Sequence, residues 1–579
     1  MKKPVNKKNF RVVLIKPSHY DDDGYVIQWL RSTIPSNTLA TVYGLIRDMV
    51  DRKVLGDDVD ITIDAYDETN TRIPIKKIIQ QIKAADGGFV GFIGVQSNQF
   101  PRTMDMATVM REAGIQVSIG GFHVSGCVAM LPKLPDDIQH AKDIGISLFI
   151  GEAEGRLDDM FKDAYAGQMK PVYNYLVDLP DINAAPTPFL PSEMLRRSMG
   201  SWTSFDAGRG CPFVCSFCTI INVQGRKSRR RTADDVEHIL RENAAQGITR
   251  FVITDDNFAR NRDWEPIFDR IIKLREEEGM DIRLTLQVDT MCHKIARFIE
   301  KAGRAGTNQV FIGLESISPD NLKAAGKKQN NIAEYRKLLL AWRKAGVITC
   351  AGYIIGFPAD TPERIVRDIK TIKHELPVDL LLISYLTPLP GSADHKQMVE
   401  NGEWIDPDMN KYDLNHVTSN HPTMTKEELE GAYKSAWETF YSPDHIETVI
   451  RRAFASRIGV SKTMFMTLWF GFCFKYEGLH PIEGGYLRRK RRRDRRPGLP
   501  LENPLIFYPR RLWEELCKNI KLLSLTIKYN RFLTKVKNDP EAANYMDEAL
   551  TPIEPIGVKT KDDKEDLKTD LEQITTLSA

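Results

Sequence analysis

The chain has 579 residues, a formal net charge of +3 at pH 7, and 42% hydrophobic and 27% charged residues. That composition is typical of globular proteins and argues against wholesale disorder and against a fibrous protein. The length predicts about three or four domains. Because the overall charge is nearly neutral, composition gives no general argument for nucleic acid as a partner.

From about residue 10 to 165 the sequence alternates short apolar strands with helical patterns. The strand segments are RVVLIKP, ITIDAYD, FVGFIGVQ, VSIGG and ISLFIGE. This alternation predicts βαβ units and a doubly wound, Rossmann-like α/β domain over 10–165. Ligands of such sheets bind beyond the carboxyl ends of the strands, where this sequence carries Gly120, Gly121 and His123.

A proline-rich stretch over 166–200 breaks the pattern and predicts an interdomain linker. A second alternation over 201–392 has six candidate strands, TSFDAG, RFVITDD, RLTLQVD, QVFIGLE, VITCAGYIIG and LLLISYL. Six such units predict a partial (βα)6 TIM-like barrel, open where an eight-unit barrel is closed. Active residues are expected where its strands end.

After the barrel the strand patterns stop. Helical patterns predict a mostly α domain over 393–537, and the polar segment 538–579, with few aromatics, predicts a disordered tail. The helical region contains an apolar run over 464–474 and a basic run over 488–496 that only Asp494 interrupts. The basic run favours contact with an anionic membrane surface, with RNA binding and a solvated loop as alternatives.

Cellular location is predicted from the N-terminus and the cysteines. The apolar run near the N-terminus is a short β-branched strand, which differs from the longer apolar segment of a signal peptide. Eight cysteines in so long a chain do not predict a disulfide framework. The apolar run of eleven residues over 464–474 is too short to cross a bilayer. We expect a cytoplasmic protein, with any contact at the inner membrane surface being peripheral.

Three cysteines, Cys211, Cys215 and Cys218, follow the first barrel strand at CxxxCxxC spacing. Thiolates are the ligands of iron-sulfur clusters, and a cubane with only protein ligands takes four of them. Three cysteines on one loop leave the fourth iron open to bind a substrate or cofactor. Structural zinc is the alternative, but zinc normally needs a fourth Cys or His nearby, and the next histidine, His238, lies twenty residues on.

The loop GRGCPFVCSFC at a strand end resembles the radical S-adenosylmethionine (SAM) superfamily, and the resemblance extends over about 203–392. It implies a 4Fe-4S cluster on the three cysteines, SAM on the open iron, and reductive cleavage of SAM to methionine and a 5′-deoxyadenosyl radical. It also implies SAM-binding roles for residues at the barrel strand ends: Phe217 beside the adenine, Asp255 and Asp256 near the methionine amino group, Glu315 and Ser316 after the fourth strand, and Tyr353 with Gly352 and Gly356 on the fifth.

These strand-end residues also have structural interpretations. Asp255 and Asp256 could cap the helix that follows them, as aspartate does at helix starts. Gly352 and Gly356 could be packing glycines at a strand end. Their order along the chain behind the cysteine loop is what favours the cofactor roles.

An α/β domain ahead of such a barrel resembles the cobalamin-binding members of the superfamily. In that resemblance SIGGFHVSG, with Gly120, Gly121, His123 and Ser125, is similar to the loop that approaches the corrin, since glycine lets backbone come close to a bulky ring. A generic doubly wound domain is the alternative, because fold does not fix function. The first strand lacks the Asp-x-His-x-x-Gly loop of many cobalamin proteins and has His19 in a different context, so histidine ligation of cobalt is not supported.

The resemblance implies an enzyme that generates a 5′-deoxyadenosyl radical and, in most such proteins, methylates an unactivated carbon with the help of cobalamin. Oxidative cyclisation or another radical rearrangement on the same scaffold is one alternative, and a noncatalytic cobalamin or iron-sulfur sensor is another. Methylthiotransfer is disfavoured because Cys127 is alone in the N-terminal domain. The implied partners are a reductant protein such as flavodoxin or ferredoxin and an organic substrate; nucleic acid is not expected.

Overall fold

The computed structural model describes residues 7–327, 330 and 332–552. Its strands in that part of the chain are β1 (Lys8–Lys16), β2 (Trp29–Ser32), β3 (Val59–Asp67), β4 (Gly87–Phe92), β5 (Gln116–Gly120), β6 (Ser147–Ile150), β7 (Val172–Asn174), β8 (Trp202–Phe205), β9 (Gly208–Arg209), β10 (Arg229–Arg230), β11 (Arg250–Ile253), β12 (Arg283–Val288), β13 (Thr307–Glu315), β14 (Ile348–Ile355), β15 (Leu380–Tyr385) and β16 (Gly485–Arg488).

The α-helices of the same residues are α1 (Asn37–Asp51), α2 (Ile75–Lys83), α3 (Phe100–Glu112), α4 (Phe122–Met130), α5 (Asp136–Asp143), α6 (Leu157–Tyr165), α7 (Ser192–Leu195), α8 (Ile220–Val223), α9 (Ala233–Ala245), α10 (Trp264–Glu276), α11 (Phe298–Arg304), α12 (Pro319–Ala324), α13 (Ile332–Lys344), α14 (Pro362–Glu375), α15 (Ala393–Asn401), α16 (Lys426–Phe440), α17 (Pro443–Ala455), α18 (Val460–Phe472) and α19 (Pro504–Asn538).

The N-terminal sheet is parallel, with strand order β3-β1-β4-β5-β6-β7. Alternate residues of β1 enter two different cores: Val13 and Ile15 pack on one face, and Val12 and Leu14 on the other. A sheet covered on both faces in this way confirms the Rossmann-like prediction. The strand order reverses direction between β1 and β4, and ligands of such folds bind beside that switch point.

The segment predicted as a linker contributes to this sheet. Its β7 pairs in parallel with β6, and Tyr173 in β7 is buried in the adjoining core. The following proline-rich part lies directly on α1, where a Cβ at Gly44 would come within 2.0 Å of the carbonyl oxygen of Thr187. Proline breaks regular structure along this stretch, yet the chain there is packed against the N-terminal domain.

The central sheet holds six parallel strands in strict chain order, β8-β11-β12-β13-β14-β15. Helices α9, α10, α11, α13 and α14 connect successive strands, so each strand and the helix after it form one βα unit. This is the open (βα)6 arrangement that the sequence predicts. The carboxyl ends of its strands carry the cysteine loop and the residues described below.

The C-terminal unit is mostly helical, as predicted. The apolar run over 464–474 lies in and just after α18, where Leu468, Trp469 and Phe472 are buried. Strand β16 pairs antiparallel with β2 of the N-terminal region. In the basic run, Arg488 and Lys490 pair with Asp21 of the loop after β1, so part of its charge is matched by the protein itself.

Residues 538–552, the first part of the predicted tail, are packed in the structure. Ala542 and Leu550 are buried, and Asp547 accepts a hydrogen bond from Arg452 at 2.7 Å. The prediction of disorder is therefore wrong for this stretch, because a few apolar side chains and ion pairs of Asp539, Asp547 and Glu548 hold it against the rest of the chain. The rest of the predicted tail, 553–579, lies outside the described residues.

Candidate active site and cofactor cavity

A short two-stranded ribbon holds the base of the cysteine loop. Strands β9 and β10 pair antiparallel, and the three cysteines lie on the chain between them. Gly210 has φ +88°, and a Cβ there would lie 2.5 Å from the carbonyl oxygen of Lys227. Glycine is therefore required to start the loop. Farther along the loop, the Cys218 N–H donates to the Cys215 carbonyl at 3.1 Å.

The three thiols are partly buried. Burial, together with the nearby Cys215, Cys218 and Asp256, raises the pKa of Cys211 to about 12, and burial raises the pKa of Cys218 to about 11. Thiols with such a raised pKa stay protonated at neutral pH. Binding of a metal cation displaces the proton, since a coordinating thiol is deprotonated. A desolvated group of thiols on one glycine-initiated loop is thus a donor set that suits a metal-sulfur cluster.

Two adjacent aspartates, Asp255 and Asp256, follow β11 beside this loop. Asp255 accepts hydrogen bonds from the Ala207 N–H at 2.7 Å and from Asn261 Nδ2 at 3.0 Å, so it fixes the end of the first barrel strand. Asp256 lies close enough to Cys211 to interact with it electrostatically. Burial raises the pKa of each aspartate to about 7. Asp256 therefore lies near the cysteine loop, and Asp255 supports the backbone that follows β8.

Phe217 and Glu315, two of the predicted SAM-binding residues, are brought together by one lysine. The Lys327 ammonium lies 5.8 Å from the centroid of the Phe217 ring and forms an ion pair with Glu315. Glu315 has φ +64°, a left-handed conformation that is uncommon for residues other than glycine and is often found at functional sites. The carboxyl end of β13 and the cysteine loop therefore meet at Lys327.

Ser316 and Tyr353 are enclosed by the barrel wall. The Ser316 hydroxyl accepts from the Ser318 N–H at 3.0 Å, and the Tyr353 hydroxyl donates to Asp368 of α14 at 3.2 Å. Both residues are almost completely buried. Their polar groups therefore hold neighbouring turns and helices in place, and their role in SAM binding stays a prediction.

A cavity of about 180 Å³ lies at the switch point of the N-terminal sheet. Its walls combine strand ends of that sheet with the segment that carries the cysteines: Leu14, Asn37, Thr38, Thr41, Gly91, Gly94, Gly120, Gly121, Ser125, Gly151, Glu152, Arg209, Val223 and Gln224 are among the lining residues. The cavity therefore extends from the Rossmann-like sheet to the residues on either side of the cysteines.

The predicted corrin loop divides between this cavity and the core. Gly120, Gly121 and Ser125 line the cavity. His123 is 1% exposed, and its ring nitrogens lie 3.1 Å from Ser97 Oγ and 3.2 Å from Asp137 Oδ2. His123 thus has partners within its own domain. A Cβ at Gly121 would meet the Val95 N at 2.2 Å, so this glycine permits a close backbone approach.

Sequence reasoning missed a buried ion-pair network between the two α/β domains. Arg209 contacts Glu152 at 2.6 Å, Glu154 at 2.5 Å and Asp206 at 3.1 Å, and Arg229 also pairs with Glu152. The sequence offers one signal for it, the acidic pair in GEAEG directly after a strand. What it could not show is that these carboxylates face the arginine two residues before Cys211.

Comparison with known proteins identifies the central region. Residues 207–372 match the family model described as the radical SAM superfamily. The chain contains a radical SAM domain. The domain implies a 4Fe-4S cluster and SAM as cofactors, and it makes this protein an enzyme that needs a reductant and an organic substrate.

Relatives and solved structures extend the similarity of this chain beyond the radical SAM domain. It is 25% identical to the bacteriochlorophyllide d C-8(2)-methyltransferase of Chlorobaculum tepidum over 57% of this chain and 73% of the relative. It is 24% identical to an uncharacterized methyltransferase of Pyrococcus horikoshii over 75% of this chain and 93% of the relative. The structure of the radical SAM methyltransferase TsrM from Kitasatospora setae, with cobalamin and a 4Fe-4S cluster bound, superposes with a TM-score of 0.56 at 15% identity, covering 79% of this chain and 99% of TsrM.

Proposed function

We propose that the protein is a cobalamin-dependent radical SAM enzyme that methylates an unactivated carbon. The observation that supports this most directly is the cavity at the switch point of the N-terminal sheet, because Arg209 and Val223 from the cysteine-bearing segment line it together with Gly120 and Gly121. Two cofactor sites that share a wall are what a reaction with two cofactors requires. The methyltransferase relatives agree with this function.

In this proposal Cys211, Cys215 and Cys218 hold the cluster. When bound, the cluster and SAM supply a 5′-deoxyadenosyl radical on one-electron reduction, and cobalamin supplies the methyl group. The Lys327 and Glu315 pair, with the Phe217 ring beside it, presents charge and an aromatic face to the same strand ends. Asp256, next to the thiols, offers a carboxyl for an ammonium group. These residues suit a zwitterionic cofactor with an aromatic base.

The cavity suits the cobalamin tail. Most of its lining residues are glycines and apolar residues, and its polar and charged lining residues include Ser125, Asn37, Thr38, Arg209 and Glu152. Ser125 Oγ accepts a hydrogen bond from the Gly151 N–H at 3.1 Å, so the serine also fixes the neighbouring strand end. Substrate access is proposed from the barrel side. Flavodoxin or ferredoxin is proposed as the reductant.

The test is anaerobic reconstitution of the full chain with iron and sulfide, followed by dithionite and SAM, with and without cobalamin. We expect 5′-deoxyadenosine to form in the native protein and to be lost in Cys215→Ala. Cys517→Ala is the matched control, because Cys517 is also partly buried but lies far along the chain in α19. Cobalamin should stay with the protein through gel filtration.

Other outcomes would point to the alternatives. Cluster formation without SAM cleavage over hours would favour a noncatalytic sensor. SAM cleavage in a protein that never retains cobalamin would favour a cobalamin-independent rearrangement. Oxidative cyclisation would be distinguished from methylation by supplying SAM with a labelled methyl group and finding no label in the product.

We also propose that the protein contacts an anionic membrane peripherally, through α19. Among the described residues, no helix has both the length and the apolar character needed to cross a bilayer. One face of α19 is nevertheless exposed and apolar, with members three or four residues apart: Leu505, Tyr508, Leu512, Leu516, Ile520, Leu523 and Ile527. Such a stripe is typical of helices that lie in the membrane interface.

The charge of α19 complements an anionic surface. From Leu516 to its end the helix carries six lysines and arginines and no acidic residue. Lys521, Lys528 and Arg531 are exposed. Because Arg488 and Lys490 of the basic run are paired with Asp21, we propose that α19, more than the run over 488–496, supplies the attraction to lipid headgroups.

Vesicle sedimentation tests this contact. The native protein should bind vesicles that contain phosphatidylglycerol and bind phosphatidylcholine vesicles much less. Leu512→Gln with Leu523→Gln should reduce binding at least tenfold, whereas Val177→Gln with Val399→Gln, at two exposed valines elsewhere, should not. Equal binding by both variants would contradict the proposal, as would a native dimer that the α19 variant alone dissociates.

A further inference from the structure

Three ionisable side chains from distant parts of the chain converge beneath the loop that follows β1. His19 lies in that loop, Asp413 follows β15, and Glu483 precedes β16. His19 Nε2 is 3.4 Å from Glu483 Oε2 and 4.0 Å from Asp413 Oδ2. One imidazole nitrogen and two carboxylate oxygens all lie within 4.8 Å of one another.

Two of these three atoms have no hydrogen-bond partner within the described part of the chain. His19 is 3% exposed, and neither His19 Nε2 nor Glu483 Oε2 forms a hydrogen bond with any residue that the structure describes. Buried polar atoms are almost always satisfied, so two unsatisfied atoms that face each other need an explanation. One explanation is an ion bound between the two atoms, because it would satisfy both of them at once.

We propose that His19, Asp413 and Glu483 bind a divalent transition-metal ion. Imidazole and carboxylate are ordinary ligands for Zn²⁺ and Mn²⁺. Neighbouring ligands of a tetrahedral ion with bonds of about 2.1 Å lie about 3.4 Å apart. The His19 to Glu483 separation of 3.4 Å matches that spacing, and Asp413, 4.0 Å from His19, would have to move closer. The site is separate from the cysteines and does not depend on the proposed methyl transfer.

Neighbouring side chains form hydrogen bonds with two of the three ligands, as they do in known metal sites. Asn98 Nδ2 donates to Glu483 Oε1 at 3.1 Å, and His416 Nδ1 lies 2.9 Å from Asp413 Oδ1. Asn98 orients Glu483 and leaves its Oε2 available to bind an ion. His416 Nδ1 also lies 3.0 Å from Asp413 Oδ2, so an ion would share that oxygen with the imidazole. A polar cavity lined by Tyr20, Asp413 and His416 adjoins the site, and it gives an ion a route from solvent.

An ion in this position would join three regions of the chain. His19 belongs to the N-terminal domain, whereas Asp413, between α15 and α16, and Glu483, before β16, belong to two different parts of the helical unit. Metal ligation across such contacts stabilises the assembled fold, because the ligands come together only in the folded chain. The role we assign to the ion is therefore to hold the three regions together.

The test is a titration of the full chain with Mn²⁺, followed by the electron paramagnetic resonance signal of the free ion. Mn²⁺ favours carboxylate ligands over the thiolates of the cysteine loop. The number of Mn²⁺ ions bound per chain therefore does not include ions at the three cysteines. We expect about one Mn²⁺ per chain in the native protein, and at least a tenfold loss of affinity in His19→Ala and in the isosteric Glu483→Gln.

His293→Ala is the matched control, because His293 Nε2 already lies 3.0 Å from Glu334 in a closed pair. It should bind Mn²⁺ like the native protein. A melting temperature that Mn²⁺ raises in the native chain and in His293→Ala, but not in Glu483→Gln, would support the site independently. Absence of a Mn²⁺ site in the native protein, or unchanged affinity in Glu483→Gln, would overturn the proposal.

Discussion

Arg209 donates to Glu152 at 2.6 Å across the boundary between the two α/β domains. The arginine lies two residues before Cys211, and the glutamate follows β6 of the N-terminal sheet. Both side chains are buried, with 10% and 6% of their surfaces exposed. The position of the cysteine loop is thus coupled to the strand ends that line the proposed cobalamin cavity.

Removing Glu152 should therefore loosen this coupling. Glu152→Ala leaves Arg209 and Arg229 with one carboxylate fewer in a buried setting, and removing one partner of a buried pair costs about 3 kcal/mol. We expect a lower midpoint of unfolding in denaturant and weaker cobalamin retention. Asp158→Ala is the control, since its pair with Arg52 is exposed and should contribute at most about 1 kcal/mol.

Filling the cavity should exclude cobalamin and leave the cysteine loop intact. A Cβ at Gly91 would have ordinary contacts of 3.5 Å or more, and Gly91 lines the cavity. Gly91→Leu should reduce cobalamin retention at least tenfold while iron and sulfide content stay at the native level. Gly431→Leu, where a Cβ would meet nothing within 4 Å, should retain both. Normal cobalamin retention in Gly91→Leu would place the cofactor elsewhere.

The burial of Asp255 should make stability depend on pH. Desolvation raises the pKa of Asp255 from 3.8 to about 7, so the folded state holds a proton that the unfolded state releases above its lower pKa. The free energy of unfolding should therefore be highest below about pH 4 for this group and fall as pH rises towards 7. In Asp255→Asn the dependence of the free energy of unfolding on pH should become weaker, by an amount that corresponds to at most about one proton released on unfolding. Denaturant titrations of cluster-free protein at several pH values measure it.

The stretch after α19 should contribute to stability through Asp547. Arg452 is 2% exposed and Asp547 is its carboxylate partner, so Asp547→Asn should lower the melting temperature by several degrees, at a cost of about 3 kcal/mol. The neighbouring Glu548→Gln should have little effect, because Glu548 is exposed in its pair with Arg336. Equal melting temperatures for the two variants would show that the segment is dispensable.

The sequence by itself determined the two α/β alternations and the cysteine loop. Strand and helix periodicity is local, so every strand of the central sheet could be placed from its own residues. The spacing of Cys211, Cys215 and Cys218 is equally local, and so is the glycine that starts their loop. Chain order in the barrel then followed, because successive βα units lie side by side.

Only the tertiary structure decided which side chains meet across domains. Arg209 and Glu152 are 57 residues apart, and His19 and Asp413 are farther apart still. The periodicity of apolar residues is local and does not predict contacts between such distant side chains. Burial also separates residues that look alike in the sequence: His123 is enclosed with its own partners, while Gly121 two positions earlier lines the cavity. The physical reason is that long-range packing, which depends on the whole chain, sets which polar groups are satisfied and which remain available to a ligand.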